Sequence, residues 1–81
     1  MRWMVYILEC GDNSLYTGIT TDLTARIRAH RAGNGAKYTR GRGPLHLVFQ
    51  EPALDRSAAT QREYQIKALD VQAKRRLINS L

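Results

Sequence analysis

Five polar residues of this 81-residue chain have side chains that could carry out phosphodiester chemistry: Tyr6, Tyr16, Arg26, His30 and Glu63. A glutamate can hold one hard divalent cation whose other positions are filled by water. An arginine can neutralise the charge that builds up on a phosphate under attack. A tyrosine or a histidine can take the proton from the attacking water. This set of side chains is compatible with one-metal hydrolysis of a phosphodiester bond.

The sequence lacks the motifs of several other common reaction centres. The sequence has one cysteine, no glycine-rich phosphate loop followed by Lys-Ser or Lys-Thr, and no convincing Ser/His/Asp set. Only Glu63 stands out as an inward carboxylate, which argues against a multi-carboxylate two-metal site and against a glycosidase pair. Each of the five residues also has a structural interpretation. The tyrosines could be core residues of strands, and Glu63 could form an ion pair with Arg26.

The elements that must position these residues begin with a hairpin. Residues 4–9 and 14–20 are rich in Val, Ile, Leu, Tyr and Thr and are separated by a polar turn at 10–13. Both faces of the first strand are apolar, so we expect it to be central. A turn centred near Gly11 and Asp12 places Tyr6 and Tyr16 nearly opposite each other, and Gly18 leaves a gap on their face.

Helical patterns follow on either side of a third strand. Residues 21–33 predict a helix capped by Thr21 or Asp22 and ended by Gly33, with Arg26 and His30 one turn apart. Residues 45–51 predict the third strand, bordered by prolines. Residues 55–69 predict a second helix with Glu63 on or beside its inward stripe. A third helix follows Asp70, and its basic run at 74–76 is typical of a solvated face. The expected fold is therefore α+β, with a three-stranded antiparallel sheet and about three helices in a single domain, residues 1–81.

The segment 34–44 is predicted to be a basic loop. It carries several glycines together with Lys37, Tyr38, Arg40 and Arg42, which could contact phosphates and stack on a base. The whole chain has a net charge of +6, which favours nucleic acid as a partner. A solvated basic surface is the simpler alternative.

The cellular location of the protein is predicted from its cysteine content and from its apolar segments. The single cysteine, Cys10, excludes an intrachain disulfide, and we expect it to be a buried residue at a strand end. No apolar run is long enough to span a bilayer, and no signal-peptide pattern precedes the first strand. The sequence therefore favours a cytoplasmic protein that does not bind membranes.

The pattern of Tyr6, the triplet Tyr16-Thr17-Gly18, Arg26 and Glu63 resembles the GIY-YIG nuclease domain over nearly the whole chain. It is most similar to the small, single-domain bacterial members. The resemblance implies that Tyr6 and Tyr16 are the tyrosines of the two triplets and that one of them is the general base or positions the water. It also implies that Arg26 stabilises the phosphate and that Glu63 is the ligand of a single Mg²⁺ or Mn²⁺. His30 occupies a position where family members carry His or Tyr.

The expected function is a metal-dependent DNA endonuclease with DNA repair or processing as its expected role. Its expected catalytic residues are Tyr6, Tyr16, Arg26, His30 and Glu63. Two alternatives remain open at this point. One is a nucleic-acid-binding module that keeps the fold but cleaves little or not at all. The other is a structural or interaction protein. A homodimer or a protein partner that supplies targeting is compatible with each of the three.

Overall fold

The computed structural model describes residues 2–80, which form one three-stranded sheet with helices on both faces. Three strands, three α-helices and one short 3₁₀ helix follow each other along the chain: β1 (Trp3–Glu9), β2 (Leu15–Thr20), α1 (Leu23–Arg31), the 3₁₀ helix (Lys37–Thr39), β3 (His46–Ala53), α2 (Arg56–Lys67) and α3 (Val71–Asn79). The strand order is β2-β1-β3, and both pairings are antiparallel. The predicted α+β fold with a central first strand is confirmed.

Alternation along β1 separates the two layers of the core. Val5 and Ile7 face α2, where Ala59 and Ile66 are fully buried, and the hydrophobic residues of α3 cover the margin of this cluster. Tyr6 and Leu8 point to the opposite face, which α1 covers. Because successive strand residues point to opposite faces, a four-residue apolar run can fill two cores at once.

All three α-helices begin at an aspartate whose carboxylate accepts a hydrogen bond from a backbone amide of the first turn. The caps are Asp22, Asp55 and Asp70. Such a cap satisfies one of the amide groups that have no partner within the helix. For the first helix, the predicted choice between Thr21 and Asp22 is thereby resolved in favour of the aspartate. Gly33 adopts a left-handed conformation directly after Ala32, the C-cap of α1, as expected of a residue that ends a helix.

Some details of the elements differ from the prediction. The third strand was expected to end at Glu51 but continues through Pro52 to Ala53. An edge strand has one side free of ladder hydrogen bonds, so it can accommodate a proline. The second helix ends at Lys67 rather than at residue 69. The predicted loop at 34–44 contains one turn of 3₁₀ helix.

The basic run of α3 is not simply a solvated face. Arg75 forms an ion pair with Glu9 at the end of β1, and it donates a 2.9 Å hydrogen bond to the carbonyl oxygen of Asn13 in the hairpin turn. The prediction is wrong for this residue because helix packing turns it toward the sheet. Cys10 is buried, as expected. The longest helix in the described range has twelve residues, and no helix there is both long and apolar enough to traverse a bilayer.

Ile66→Ala should lower the free energy of unfolding by about 2–5 kcal/mol, because it removes a fully buried side chain and leaves a cavity. Tyr64→Ala is the control on the same helix, since Tyr64 is 77% exposed. Urea denaturation measures both changes. Equal effects of the two substitutions would contradict the assignment of α2's buried face.

Candidate functional site

The two sheet tyrosines share a face, but they are not directly opposite each other. Tyr6 is paired with Gly18, and Tyr16 is paired with Leu8. The predicted register is therefore wrong by two residues, because the turn is centred later than expected. A shift of two residues keeps a side chain on the same face. The rings consequently remain neighbours, with centroids 6.3 Å apart and planes inclined by 48°.

The gap above Gly18 is filled by the protein itself. A Cβ atom at this position would lie 2.5 Å from the Tyr6 hydroxyl oxygen, so only glycine allows the phenol to cross β2 here. The gap that the sequence predicts at Gly18 is thus occupied by the Tyr6 ring and is not open. Tyr6 is completely buried, whereas Tyr16 is only half-buried. Of the two phenols, Tyr16 is the one that solvent reaches in this conformation.

Helix α1 brings two of the predicted residues onto Tyr6. Arg26 donates from Nε to the Tyr6 hydroxyl oxygen over 3.4 Å. His30, one turn later, has its Nε2 atom 2.8 Å from the same oxygen. The His30 ring also lies edge-on to Tyr16, with centroids 5.2 Å apart. Four of the five predicted residues therefore form one cluster, which joins β1, β2 and α1.

The cluster favours neutral Tyr6 and neutral His30 beside a charged Arg26. Burial raises the pKa of Tyr6 above 10.0, although the Arg26 hydrogen bond opposes this shift. Burial, followed by the nearby Arg26 charge, lowers the pKa of His30 below 6.5. The hydrogen bond to Tyr6 raises the pKa of Arg26, so this guanidinium stays protonated. At neutral pH the site presents one fixed positive charge next to two uncharged rings.

Glu63 lies at the edge of the site on α2. Its side chain is 21% exposed, and its carboxylate lies 3.3 Å from the ammonium group of Lys67, one turn along the helix. The alternative of an ion pair with Arg26 is therefore wrong. The Glu63 charge does contribute to raising the pKa of Tyr6, so the carboxylate acts on the same site although it is not hydrogen-bonded to the cluster.

Glu63 is the only one of the five residues with a carboxylate for a metal ion. Within residues 2–80, no three His, Cys, Asp or Glu side chains are grouped as metal ligands. A lone, half-buried carboxylate does fit Mg²⁺, which keeps several waters and often takes one or two carboxylates together with substrate phosphates. The donor set fits a mostly hydrated ion and does not fit zinc, which requires three or four protein ligands.

The basic loop lies beside Tyr16. The Tyr38 ring is 5.9 Å from the Tyr16 ring, and the Arg42 guanidinium lies 4.4 Å from the centre of the Tyr38 ring. Arg42 also forms a 2.6 Å ion pair with Asp12, so part of its charge is already neutralised. Lys37 and Arg40 are exposed. Of the predicted phosphate-contacting residues, these two present their charges most openly.

Three further residues at the site escaped the sequence analysis. Thr39 is buried against His30, with its hydroxyl oxygen 2.9 Å from Nδ1. Lys67 and Lys74 line a groove of about 280 Å³ together with Tyr16 and Tyr38. The i,i+4 spacing of Glu63 and Lys67 is a signal that could have identified that pair. Thr39 and Lys74 gave no such signal, because only the folded chain brings them to the site.

Comparison with known proteins identifies the class. The model of the GIY-YIG catalytic domain matches residues 2–76. The chain belongs to this family, and the resemblance seen in its sequence is confirmed. A UPF0213 protein of Staphylococcus haemolyticus is 54% identical over 74 residues, which are 91% of this chain and 90% of the relative. The UPF0213 protein YhbQ of Escherichia coli K12 is 49% identical over 76 residues, or 94% of this chain and 76% of that protein.

Solved structures agree with this assignment. The solution NMR structure of a UPF0213 protein from Bacillus halodurans is similar with a TM-score of 0.62 and 49% identity, covering 96% of this chain and 83% of the other. The solution NMR structure of an Enterococcus faecalis protein gives a TM-score of 0.65 at 36% identity, over 95% and 83% of the two chains. The observed sheet and helices are therefore shared with relatives of known structure.

The lowered pKa of His30 predicts that stability falls as the solution becomes acidic. The unfolded chain takes up this proton near pH 6.5, before the folded chain does, so the stabilisation is complete above that pH and is lost below it. The melting temperature of the wild type should therefore fall between about pH 7.5 and about pH 5.5. His30→Gln should flatten this dependence. His46→Gln, which changes the exposed second histidine, should keep it. An equal dependence of melting temperature on pH in all three proteins would refute the assignment of this dependence to His30.

Proposed function

We propose that this protein is a divalent-metal-dependent endonuclease that hydrolyses phosphodiester bonds of DNA. In this reaction a water oxygen bonds to phosphorus, the bond from phosphorus to the leaving sugar oxygen breaks, and that oxygen acquires a proton. The observation that carries the proposal is the Tyr6–Arg26–His30 cluster beside the accessible Tyr16, in a chain of the GIY-YIG catalytic-domain family.

Arg26 is suited to stabilise the phosphate. Its Nε atom is occupied by the Tyr6 hydroxyl, which fixes the plane of the guanidinium and leaves the two terminal nitrogens to bind phosphate oxygens. A preorganised charge of this kind stabilises the negative charge that develops in the transition state. The raised pKa of Arg26 keeps the charge in place across the working pH range.

Tyr16 is the phenol that we assign to the attacking water. The choice follows from access, because Tyr6 is fully buried and Tyr16 is half-buried at the groove. Tyr6 also has a raised pKa and so keeps its proton at neutral pH. We therefore assign to Tyr6 the task of orienting Arg26. Tyr16 has the task of positioning the water and, as a phenolate whose own proton has left to solvent, of taking the proton of that water.

Glu63 would hold the Mg²⁺ or Mn²⁺ ion. When bound, such an ion supplies positive charge to phosphate oxygens and to the leaving oxygen. Lys67 does not prevent this, since its side chain is 53% exposed and an exposed i,i+4 ion pair is weak. Lys67 can therefore leave Glu63 and contact the DNA backbone instead.

The groove between Tyr16 and Tyr38 is where we place the DNA strand. Both aromatic rings line it together with Lys67 and Lys74. Exposed Lys37 and Arg40 extend the positive surface from Tyr38 outward. Rings that can stack on bases and cations that contact phosphates are the combination that holds a nucleic-acid strand without sequence preference.

Glu63→Gln should reduce the cleavage rate by about two orders of magnitude or more, the loss typical of removing one group that stabilises transition-state charge. The assay is the cutting of labelled single-stranded, duplex, flap and branched DNA with Mg²⁺ or Mn²⁺, with a chelator as blank. Glu51→Gln is the matched control, because that glutamate is on β3 and forms an ion pair with Arg62.

Metal-dependent cutting that survives Glu63→Gln would remove the assigned role of Glu63. Salt-sensitive binding without any cutting would instead favour the binding module. That alternative draws support from the net charge of +6 and from the single carboxylate of the site. The preferred substrate shape would indicate which step of DNA repair or processing the enzyme serves. Light scattering during the assay would detect a homodimer.

Lys74→Gln should weaken DNA binding and reduce the slope of log affinity against log salt by about one, because one phosphate contact is lost. Arg76→Gln removes the same charge from an exposed position on the same helix and should leave the slope nearly unchanged. Fluorescence anisotropy over a salt series measures both slopes. Matching slopes in the two variants would exclude Lys74 from the strand's path.

A further inference from the structure

The imidazole of His30 is held at both of its nitrogens by buried partners. Nε2 lies 2.8 Å from the Tyr6 hydroxyl oxygen, and Nδ1 lies 2.9 Å from the Thr39 hydroxyl oxygen. Tyr6 is fully buried, and His30 and Thr39 are each only 2% exposed. A buried imidazole with two fixed partners cannot change its orientation, so the positions of its protons are determined by what those partners donate and accept.

The Thr39 hydroxyl determines the direction of these hydrogen bonds. Its oxygen lies 3.0 Å from the carbonyl oxygen of Ala36, which can only accept, so the single hydroxyl proton of Thr39 is donated there. The Thr39 oxygen is then an acceptor toward His30, and Nδ1 must carry the ring proton. Neutral His30 therefore presents an unprotonated Nε2 to Tyr6, and the Tyr6 hydroxyl donates to it.

The opposite tautomer fits the same contacts less well. The Ala36 amide hydrogen points at Nδ1 over 3.3 Å, so an unprotonated Nδ1 would accept from it, and this bond is given up when Nδ1 carries the proton. Thr39 would then have to give up either its bond to Ala36 or its bond to His30. Tyr6 would also face two donors at once, Nε2–H of His30 and Nε–H of Arg26. The opposite tautomer would keep the 3.3 Å contact from the Ala36 amide. It would lose either the 2.9 Å contact between Thr39 and His30 or the 3.0 Å bond from Thr39 to Ala36.

The electrostatic surroundings agree with an uncharged pair. The groups that face His30 are Tyr6 on β1, Tyr16 on β2, Arg26 on its own helix and the neutral Thr39 from the loop. Burial and the Arg26 charge disfavour the imidazolium form, and burial disfavours the phenolate form of Tyr6. A neutral phenol that donates to a neutral imidazole satisfies both groups.

We propose that Thr39 is a positioning residue, which keeps the proton of His30 on Nδ1 so that Tyr6 donates to Nε2. The lone pairs of the Tyr6 oxygen then remain directed at Arg26, and the guanidinium is held in one orientation toward the phosphate. The assignment of the tautomer is independent of the reaction. The consequence for cleavage rests on the endonuclease function proposed above.

The conformation of the loop at residues 34–44 places the Thr39 hydroxyl next to His30. A Cβ atom at Gly35 would lie 2.3 Å from Nδ1, so the backbone passes directly over the imidazole where only glycine fits. The 3₁₀ turn then directs Thr39 inward, while Lys37 and Tyr38 remain exposed. The segment that we assign to the DNA strand is thus the same segment that sets the histidine tautomer.

The first test needs neither DNA nor metal. In ¹⁵N-histidine-labelled wild-type protein above the ordinary pKa of histidine, long-range ¹H–¹⁵N correlation spectra report which ring nitrogen is protonated. We expect His30 to show a protonated Nδ1 and an unprotonated Nε2, with the exposed His46 as the internal reference. A protonated Nε2 on His30 in the wild type would overturn the proposal, whatever the protein does to DNA.

The second test asks whether the hydroxyl acts through His30 and Tyr6. Thr39→Val keeps the shape of the side chain but cannot accept from Nδ1, and it should shift the His30 tautomer and lower kcat about 10-fold to 100-fold with little change in KM. Thr39→Ser should restore both the spectrum and the rate. An unchanged tautomer with an unchanged kcat in a folded Thr39→Val protein would refute the role. Inactive wild-type protein with the expected spectrum would count against the endonuclease only.

Discussion

The hydroxyl oxygen of Tyr6 is the atom on which the rest of the site depends. It is fully buried, and a buried polar atom without partners would cost a large part of the stability of a chain of 81 residues. Its partners come from helix α1, through Arg26 and His30, and its position requires glycine at residue 18 of the neighbouring strand. The docking of α1 on the sheet and the geometry of the candidate site therefore depend on the same contacts of the Tyr6 hydroxyl.

The two faces of β1, the strand that carries Tyr6, have different roles: one contributes to the core and the other to the candidate site. One face of β1 carries Val5 and Ile7 and packs on α2, while the other face carries the phenol and packs on α1. A small domain has only one sheet to build on, and the alternation of side chains lets that sheet support two layers. The candidate site is thereby attached to the most buried strand, which suits a group that must be held in one orientation.

The ion pairs on the surface influence where the positive charge of the protein is concentrated. Three carboxylates distributed over the hairpin and β3 are paired with arginines, namely in Asp12–Arg42, Glu9–Arg75 and Glu51–Arg62. The net charge of +6 is left in large part to other basic residues, and several of these lie beside Tyr16 and Tyr38. Exposed ion pairs add little stability. Their stronger effect is to decide where the positive field of the molecule acts.

The sequence by itself determined the strands, the helices and four members of one cluster, because these follow from local periodicity and from the family pattern. The tertiary structure alone decided the two-residue shift of the hairpin, the burial of Tyr6 against the exposure of Tyr16, and the approach of Thr39 to His30. Periodicity fixes the face of a side chain but leaves its register free in steps of two. Contacts between distant segments depend on how the whole chain packs, and no local pattern encodes them.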